Sequence, residues 1–371
     1  MPKVSVVRPS PLRHSGTAPA AEDPIRDVHL AQGAAQGRRL VARRGPPPTA
    51  RAGRGARGPT TLPRRPGSGW HATVRAPLVP LDPEDAALPD VDWTALPDGV
   101  ARSSRVVPSG RLAGLCAGPR DAVRVVLAPG ITGSKEDFRF LLPVLAARGF
   151  RAESFDAAGQ YQSAAAGPEH LGRGRSWDYD LFVDDLIAVI EQGGTPVHLL
   201  GHSFQGVVAE RVAVARPDLV RSLSLLSAPP VPGDALAATR PFGAASRSMP
   251  AGALAALIRS TIRGNVQHVP PARQRFVVER FTWTRTDAHA ASVALLRRVP
   301  DLRAALRATG VPVLLAVGEH DVWPVELHRR YAEELGAVLR VYPGGHSPCE
   351  TAPHALCRDL LALFETAQRP A

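Results

Sequence analysis

The sequence predicts an α/β fold in which a mostly parallel central β-sheet is flanked by helices. From about residue 101 onward, short apolar strands alternate with amphipathic helices. Between the fourth and fifth of these strands lie about 80 residues, far more than a single crossover needs. We therefore expect a helical cap, at about residues 232–300, inserted between two strands. The chain has 371 residues, 44% of them hydrophobic, which is enough to form a sizeable core.

Six predicted strands are short apolar runs that end in turn-forming residues. They cover Val123–Ala128, Gly149–Phe155, Val197–Leu200, Val220–Ser227, Val311–Val317 and Val338–Tyr342. Two of the intervening helices are evident from apolar residues at i, i+3, i+4 and i+7. One follows Ser134 and Asp137, which resemble a capping box, and the other runs from Phe182 to Ile190 and stops at Gly193.

The net positive charge of the chain comes from its N-terminal part. The formal net charge is +11, and residues 1–75 contain 14 Lys and Arg against three Asp and Glu. The other 296 residues carry 31 of each sign, so the body offers no reason to expect a nucleic-acid partner. We interpret residues 1–75 as a disordered basic Arg/Pro-rich tail, 76–100 as a lead-in segment and 101–371 as the folded domain. The tail is either a basic arm or the translated flank of an overextended start site in a GC-rich gene.

Sparse cysteines and the lack of long apolar runs restrict the class of protein. Only Cys116, Cys349 and Cys357 are present, with no CxxC pair, which argues against a disulfide framework or a zinc site. No apolar run approaches 18 residues, and the N-terminus lacks the apolar stretch of a signal peptide. We expect a cytoplasmic protein with no metal, no cofactor and no membrane partner.

The strongest chemical signal is the segment VHLLGHSFQGVVAERVAVARP, residues 197–217. An apolar strand runs directly into Gly201-His202-Ser203-Phe204, and an amphipathic helix follows. This context is typical of a nucleophile elbow, in which a serine sits on a strained strand-to-helix turn. We predict that Ser203 is the nucleophile.

A serine needs a base and the base needs an orienting acid. His346 lies in the Gly-rich loop of VYPGGHSPCETAP, just after a strand, and an imidazole titrates near neutrality. Asp321 lies just past the strand in VPVLLAVGEHD. The chain order Ser203, Asp321, His346 is the one expected for this architecture. Two backbone N–H groups, of Phe204 after the nucleophile and of Ile131 after the first predicted strand, are our candidates for an oxyanion hole.

Four motifs together resemble the α/β-hydrolase superfamily. They are the Pro-Gly loop at Pro129, the GHSF elbow, the GEHD turn and the PGGHSP loop, and the likeness spans roughly residues 101–370. It is similar in particular to small-molecule esterases and lactonases with a helical cap. The resemblance implies a serine hydrolase that cleaves an ester, thioester or lactone of a small, partly apolar molecule without a cofactor. Carbon–carbon bond hydrolysis and a biosynthetic thioesterase are alternatives on the same fold, and a ligand-binding or sensor protein is an alternative of another class.

Two positions depart from the family pattern. Gln205 stands where members usually have glycine, and Gly206 follows it. We expect Gln205 to hydrogen-bond near the His346 or Asp321 loops. Tyr161 replaces a glycine after the second predicted strand, so a phenol is expected near the pocket, and Trp323 is a further candidate pocket residue.

The expected cap is strongly basic. Residues 232–300 contain ten Arg and three acidic residues. Such a patch favours association with negatively charged ligands, so an anionic or carrier-protein-linked substrate fits, with Arg-rich coding bias as the alternative.

Overall fold

Eight strands form one sheet in the computed structural model, which describes residues 78–265 and 269–367; the predicted tail lies outside these residues. The strands are β1 Val100–Val107, β2 Gly110–Ala117, β3 Arg124–Ala128, β4 Arg151–Phe155, β5 Val197–His202, β6 Val220–Leu226, β7 Val313–Gly318 and β8 Val338–Tyr342. Their order across the sheet is β1-β2-β4-β3-β5-β6-β7-β8.

Helices occupy most of the connections between the strands. They are α1 Pro83–Ala86, α2 Leu141–Ala147, α3 Tyr179–Glu191, α4 Phe204–Ala215, α5 Gly243–Ser248, α6 Ala251–Arg263, α7 Pro271–Trp283, α8 Thr286–Leu295, α9 Arg303–Ala308, α10 Val325–Leu335, α11 Pro348–Thr351 and α12 Pro353–Thr366. Within the described ranges, no helix combines the length and the apolar character needed to cross a bilayer.

The predicted α/β fold with a mostly parallel sheet is confirmed. Strands β3 to β8 pair in parallel, whereas β1 pairs antiparallel with β2 and β2 with β4. All six predicted strands are present, with bounds that differ by no more than two residues. The β1–β2 hairpin was not predicted, because β1 is an edge strand in which exposed and partly buried residues alternate and no apolar run forms.

Both faces of the sheet are covered by helices. Along β3, Val126 and Ala128 belong to a cluster that includes residues of α3, α4 and α10, whereas Val125 and Leu127 belong to a cluster with α2 and α12. Successive side chains of a strand point to opposite faces, so a strand buried on both faces is apolar at every position. This explains why the central strand β3 is a nearly continuous apolar run.

A helical segment of the chain is inserted between β6 and β7. Gly233 and Val299 exchange two backbone hydrogen bonds of 2.8 and 2.9 Å, which close its base. We call residues 233–299 the inserted segment. It contains helices α5 to α8, of which α6 packs on α8 and α7 packs on α6. The Trp323 indole N–H donates to the Ala235 carbonyl oxygen (2.8 Å) and joins this segment to the loop after β7.

The lead-in segment is tied to both parts of the fold. The Val79 N–H donates to the Val341 carbonyl oxygen (2.7 Å), which extends the sheet edge beside β8. Asp85 accepts two N–H groups from the first turn of α12, at 2.8 and 3.1 Å. Asp90 accepts one from the first turn of α7, at 3.0 Å. The lead-in segment therefore caps one helix of the sheet domain and one helix of the inserted segment.

Candidate active site

Ser203 occupies a sharp turn between strand β5 and helix α4. Its φ is 52° and its ψ is −122°, a backbone conformation that residues other than glycine adopt only under strain. The chain is tightly packed on both sides of this turn. A Cβ at Gly201 would lie 2.4 Å from the Gln205 carbonyl oxygen, and a Cβ at Gly206 would lie 2.4 Å from the Ala228 Cβ. Both positions therefore need glycine for the helix to pass this close to the strands.

The structure brings Ser203, His346 and Asp321 into one line of contacts. His346 Nε2 lies 3.0 Å from Ser203 Oγ, and His346 Nδ1 lies 3.2 Å from Asp321 Oδ2. Each of the three residues follows the end of a parallel strand, and the carboxyl ends of parallel strands meet at one edge of the sheet. Ser203 and Asp321 are 7% and 1% exposed.

The Asp321 carboxylate is held in its ionised form. Burial alone would raise its pKa, but the imidazoles of His346 and His328 hold the pKa of this carboxyl well below its usual range. Its second oxygen, Oδ1, accepts the backbone N–H of Trp323 at 3.0 Å and lies 3.9 Å from His328 Nε2. A fixed anion at Nδ1 keeps the proton on that nitrogen, so His346 Nε2 is free to accept a proton from Ser203.

His202 connects the turn at Ser203 to the loop of His346. Its Nε2 lies 2.9 Å from the His346 carbonyl oxygen, which can only accept, so this nitrogen carries the proton. Burial, followed by the nearby His346, lowers the pKa of His202 to about 4. The ring is therefore neutral at pH 7. Its Nδ1 is buried and has no hydrogen-bond partner within the described part of the chain.

The loop after β3 lies against Ser203. A Cβ at Gly130 would be 3.2 Å from the Ser203 Cβ, so glycine lets the loop make this close approach without a shift of Ser203. The N–H of Ile131, the next residue, has no hydrogen-bond partner among residues 78–265 and 269–367. Phe204 is the first residue of α4, and N–H groups in the first turn of a helix are left without intrahelical partners. These are the two backbone groups predicted for an oxyanion hole.

Trp323 lies beside His346, whereas Tyr161 lies further along the same sheet edge. The Trp323 ring centroid is 5.6 Å from that of His346, and the side chain is 2% exposed. Tyr161 packs edge-on against Phe276 of α7 and beneath the ammonium of Lys135, 4.7 Å from its ring centroid. Burial and the nearby Glu136 raise the pKa of Tyr161 to about 12. The phenol is therefore neutral and faces the inserted segment.

The hydrogen bond expected from Gln205 is absent. Its side chain is 2% exposed, and its Oε1 is buried without a partner among the described residues. The prediction that it bonds to the His346 or Asp321 loops is therefore wrong. The close approach of α4 to the neighbouring strand is made at Gly206 instead, so the elbow keeps its geometry without glycine at position 205.

Neighbouring polar residues are less well placed for chemistry. The His320 side chain is 76% exposed and that of Glu319 is 36% exposed. Asp234 accepts the Ala237 N–H at 3.0 Å, within the inserted segment. Cys349 is fully buried, and burial raises the pKa of its thiol well above the usual value. Within the described ranges, no group of three or more His, Cys, Asp and Glu side chains is arranged to hold a metal ion.

Four charged or titratable residues near the site were not singled out in the sequence, and a fifth, Asp137, was noted only as part of a capping box. His328 lies behind Asp321, and two buried arginines of α7 bind two carboxylates beside the loops that carry Ile131 and His346. In the sequence alone such residues look like ordinary helix or turn residues, because only the fold brings them together. They are His328, Arg273, Arg280, Asp137 and Glu350.

Fold and site together define an α/β hydrolase, and the comparison with known families agrees. The model of the alpha/beta hydrolase family matches residues 125–359, so the chain belongs to this family. Lipase LipV of Mycobacterium tuberculosis is 48% identical over 67 residues, which cover 16% of this chain and 26% of that lipase. The match thus spans about a quarter of the lipase's length.

Solved structures share the fold at low sequence identity. An esterase from Exiguobacterium antarcticum is 20% identical, with a TM-score of 0.56 over 71% of this chain and 100% of its own. The enol-lactonase from Burkholderia xenovorans LB400 is 18% identical, with a TM-score of 0.56 over the same shares of the two chains. A thioesterase domain from the curacin biosynthetic pathway is 17% identical, with a TM-score of 0.52 over 71% of this chain and 100% of its own.

Proposed function

We propose that this protein is a serine hydrolase that cleaves an ester, thioester or lactone of a small, partly apolar molecule through an acyl-enzyme on Ser203. The observation that carries the proposal is the line of contacts from Ser203 Oγ through His346 to Asp321, at 3.0 and 3.2 Å. The strained backbone of Ser203 adds support, because strain of this kind is retained where function requires a side chain in one position.

In the acylation step, Ser203 Oγ attacks the carbonyl carbon of the substrate while His346 Nε2 takes the hydroxyl proton. The carbonyl electrons move to the oxygen, and this oxyanion accepts hydrogen bonds from the N–H groups of Ile131 and Phe204. When the intermediate collapses, the bond to the leaving oxygen or sulfur breaks. His346 then returns its proton to the leaving group, and Asp321 stabilises the imidazolium in between.

In the deacylation step, water replaces Ser203 as the nucleophile. His346 Nε2 accepts a proton from water as its oxygen attacks the acyl carbon. The second oxyanion is stabilised by the same two N–H groups. Collapse breaks the bond to Ser203 Oγ, which regains its proton from His346, and the carboxylic acid leaves.

The test is a panel of p-nitrophenyl esters of graded chain length, with matched thioesters and lactones. Ser203→Ala should lose at least about 10³-fold in kcat, as loss of a nucleophile does in other serine hydrolases. Ser227→Ala is the matched control, because Ser227 is also buried, also has a positive φ (45°), and directly follows the neighbouring strand. Turnover by Ser203→Ala at the wild-type rate, or no turnover of any substrate by the wild type, would contradict the proposal.

An anionic or carrier-linked substrate stays a prediction. Several arginines of the inserted segment are paired with carboxylates outside it, which uses part of the positive charge for docking: Arg273, Arg280 and Arg285. If the remaining charge steers substrates, kcat/KM should be higher for a carboxylated ester than for its neutral analogue, and the difference should shrink with salt. Equal, salt-independent values would remove the prediction.

A further inference from the structure

Two arginines of α7 are buried although they are charged. Arg273 and Arg280 are seven residues apart, which places them on one face of the helix, and each is 4% exposed. We call them the arginine pair. A buried guanidinium is tolerated only where carboxylates compensate its charge. The carboxylates that bind the arginine pair therefore show which parts of the chain this face of α7 contacts.

The first partner, Asp137, belongs to the loop that carries Ile131. Arg273 Nη2 and Arg280 Nη1 both donate to Asp137 Oδ1, at 2.8 and 2.6 Å. Burial opposes ionisation, but the two guanidinium groups lower the pKa of Asp137 to about 2. Its other oxygen accepts the Ser134 N–H at 3.2 Å. Asp137 is thus a fixed anion that holds the end of the loop.

The same carboxylate also constrains the glycines beside the nucleophile. A Cβ at Gly133 would lie 2.4 Å from Asp137 Oδ2, so the loop is packed directly against this group. The Gly133 N–H donates to the Gly130 carbonyl oxygen at 2.9 Å, and Gly130 lies against Ser203. Asp137 therefore contacts Gly133, Gly133 is hydrogen-bonded to Gly130, and Gly130 directly precedes Ile131. A shift of Asp137 would thus move the N–H of Ile131.

The second partner, Glu350, belongs to the short helix that follows His346. Arg273 binds it in two places, with Nε to Oε2 at 2.8 Å and Nη2 to Oε1 at 2.5 Å. A paired contact of this kind fixes orientation as well as distance. The Trp93 ring of the lead-in segment covers the guanidinium, 4.1 Å from its centroid. Arg273 thus joins the loop that carries Ile131 to the loop that carries His346.

We propose that Arg273 and Arg280 are positioning residues, which hold the Ile131 loop and the His346 loop in register through Asp137 and Glu350. The proposal rests on the serine-hydrolase function argued above. It gives the inserted segment a role in rate as well as in substrate binding: the oxyanion hole and the base are correctly spaced only while α7 is docked. Displacement of either loop by about 1 Å costs on the order of 10²-fold in rate.

The experiment measures kcat and KM for a short neutral ester, together with the rate at which a fluorophosphonate modifies Ser203. Arg273→Met and Glu350→Gln break the link from opposite sides, and Arg280→Met removes the second contact to Asp137. Arg275→Met is the matched control, since Arg275 is an exposed arginine of the same helix. Melting temperatures identify any variant that fails to fold, and the Glu350→Gln change is the mildest of the three.

We expect Arg273→Met and Glu350→Gln to lower kcat and the modification rate by about 10- to 100-fold, with KM changed less than about threefold. Arg275→Met should match the wild type in all three values. Folded Arg273→Met and Glu350→Gln variants with wild-type kcat would overturn the proposal, as would a loss confined to KM, which would make the arginines substrate ligands. In contrast, a wild-type protein that neither turns over esters nor reacts with the probe would contradict the proposed function itself.

Discussion

His202 Nε2 lies 2.9 Å from the carbonyl oxygen of His346, so the residue before Ser203 holds the backbone of His346. The contact joins the end of β5 to the loop after β8, which are far apart in the chain. Because burial lowers the pKa of His202 to about 4, its ring is a neutral donor at pH 7.

Replacement of His202 should therefore slow the reaction without weakening substrate binding. We expect His202→Leu to lower kcat about tenfold, because one hydrogen bond that fixes the His346 loop is lost. His202→Gln keeps an amide donor in a side chain of similar reach and should recover most of the rate. Steady-state kinetics on one ester, with melting temperatures of both variants, check this. Equal rates for His202→Leu and the wild type would show that the contact is dispensable.

Glu210 and Tyr331 form a buried pair whose protonation affects stability. The Tyr331 hydroxyl donates to Glu210 Oε1 at 2.7 Å, and burial raises the pKa of Glu210 to about 8. The folded protein thus keeps this carboxyl protonated where the unfolded chain ionises it. The stabilisation is complete below about pH 4 and is lost as the pH rises toward 8.

Glu210→Gln imitates the protonated acid at every pH. Its free energy of unfolding should match that of the wild type at pH 4.5 and exceed it at pH 9, by on the order of 4 kcal/mol. Denaturant unfolding at the two pH values measures the difference. Glu333→Gln, on the exposed side of α10, is the control and should show no such divergence. A constant difference between Glu210→Gln and the wild type across this range would contradict the assignment.

The lead-in segment should be needed for stability although the tail before it is not. A chain that begins at Leu78 keeps the caps that Asp85 and Asp90 provide for α12 and α7, together with buried Trp93. It should melt like the full chain if, as its composition predicts, the tail does not pack. A chain that begins at Gly99 loses these contacts, and its melting temperature should fall by roughly 5–10 °C. Equal melting temperatures for all three chains would contradict this account.

Much of the fold could be predicted from the sequence because its signals are local. Strands buried on both faces are rich in apolar residues, and β3 and β5 were visible for that reason; β6 was visible from its Leu residues although Arg and Ser stand between them. Strand β1 was missed, since it is an edge strand whose Ser and Arg residues face solvent. Ser203, Asp321 and His346 were found because each one follows a strand end, and parallel strands bring their ends together.

The parts that could not be predicted depend on contacts between distant residues. Arg273 and Asp137 are 136 positions apart; Asp137 was visible only as part of a capping box, and no local pattern distinguishes Arg273 from a surface charge. The amide of Gln205 was expected to find a partner, as buried amides usually do, and its Oε1 has none among the described residues. Side-chain partners of this kind depend on local packing, which periodicity does not encode.

The central claim is that Ser203 is a nucleophile activated by His346, and covalent modification tests it most directly. A fluorophosphonate forms a bond from Ser203 Oγ to phosphorus as fluoride leaves, so the intact mass rises by that of one phosphonyl group. Peptide mapping should locate the group on Ser203, and labelling should be absent in Ser203→Ala, much slower in His346→Ala and unchanged in Ser227→Ala. Labelling that persists in Ser203→Ala, or a wild-type protein that resists the probe, would contradict the account.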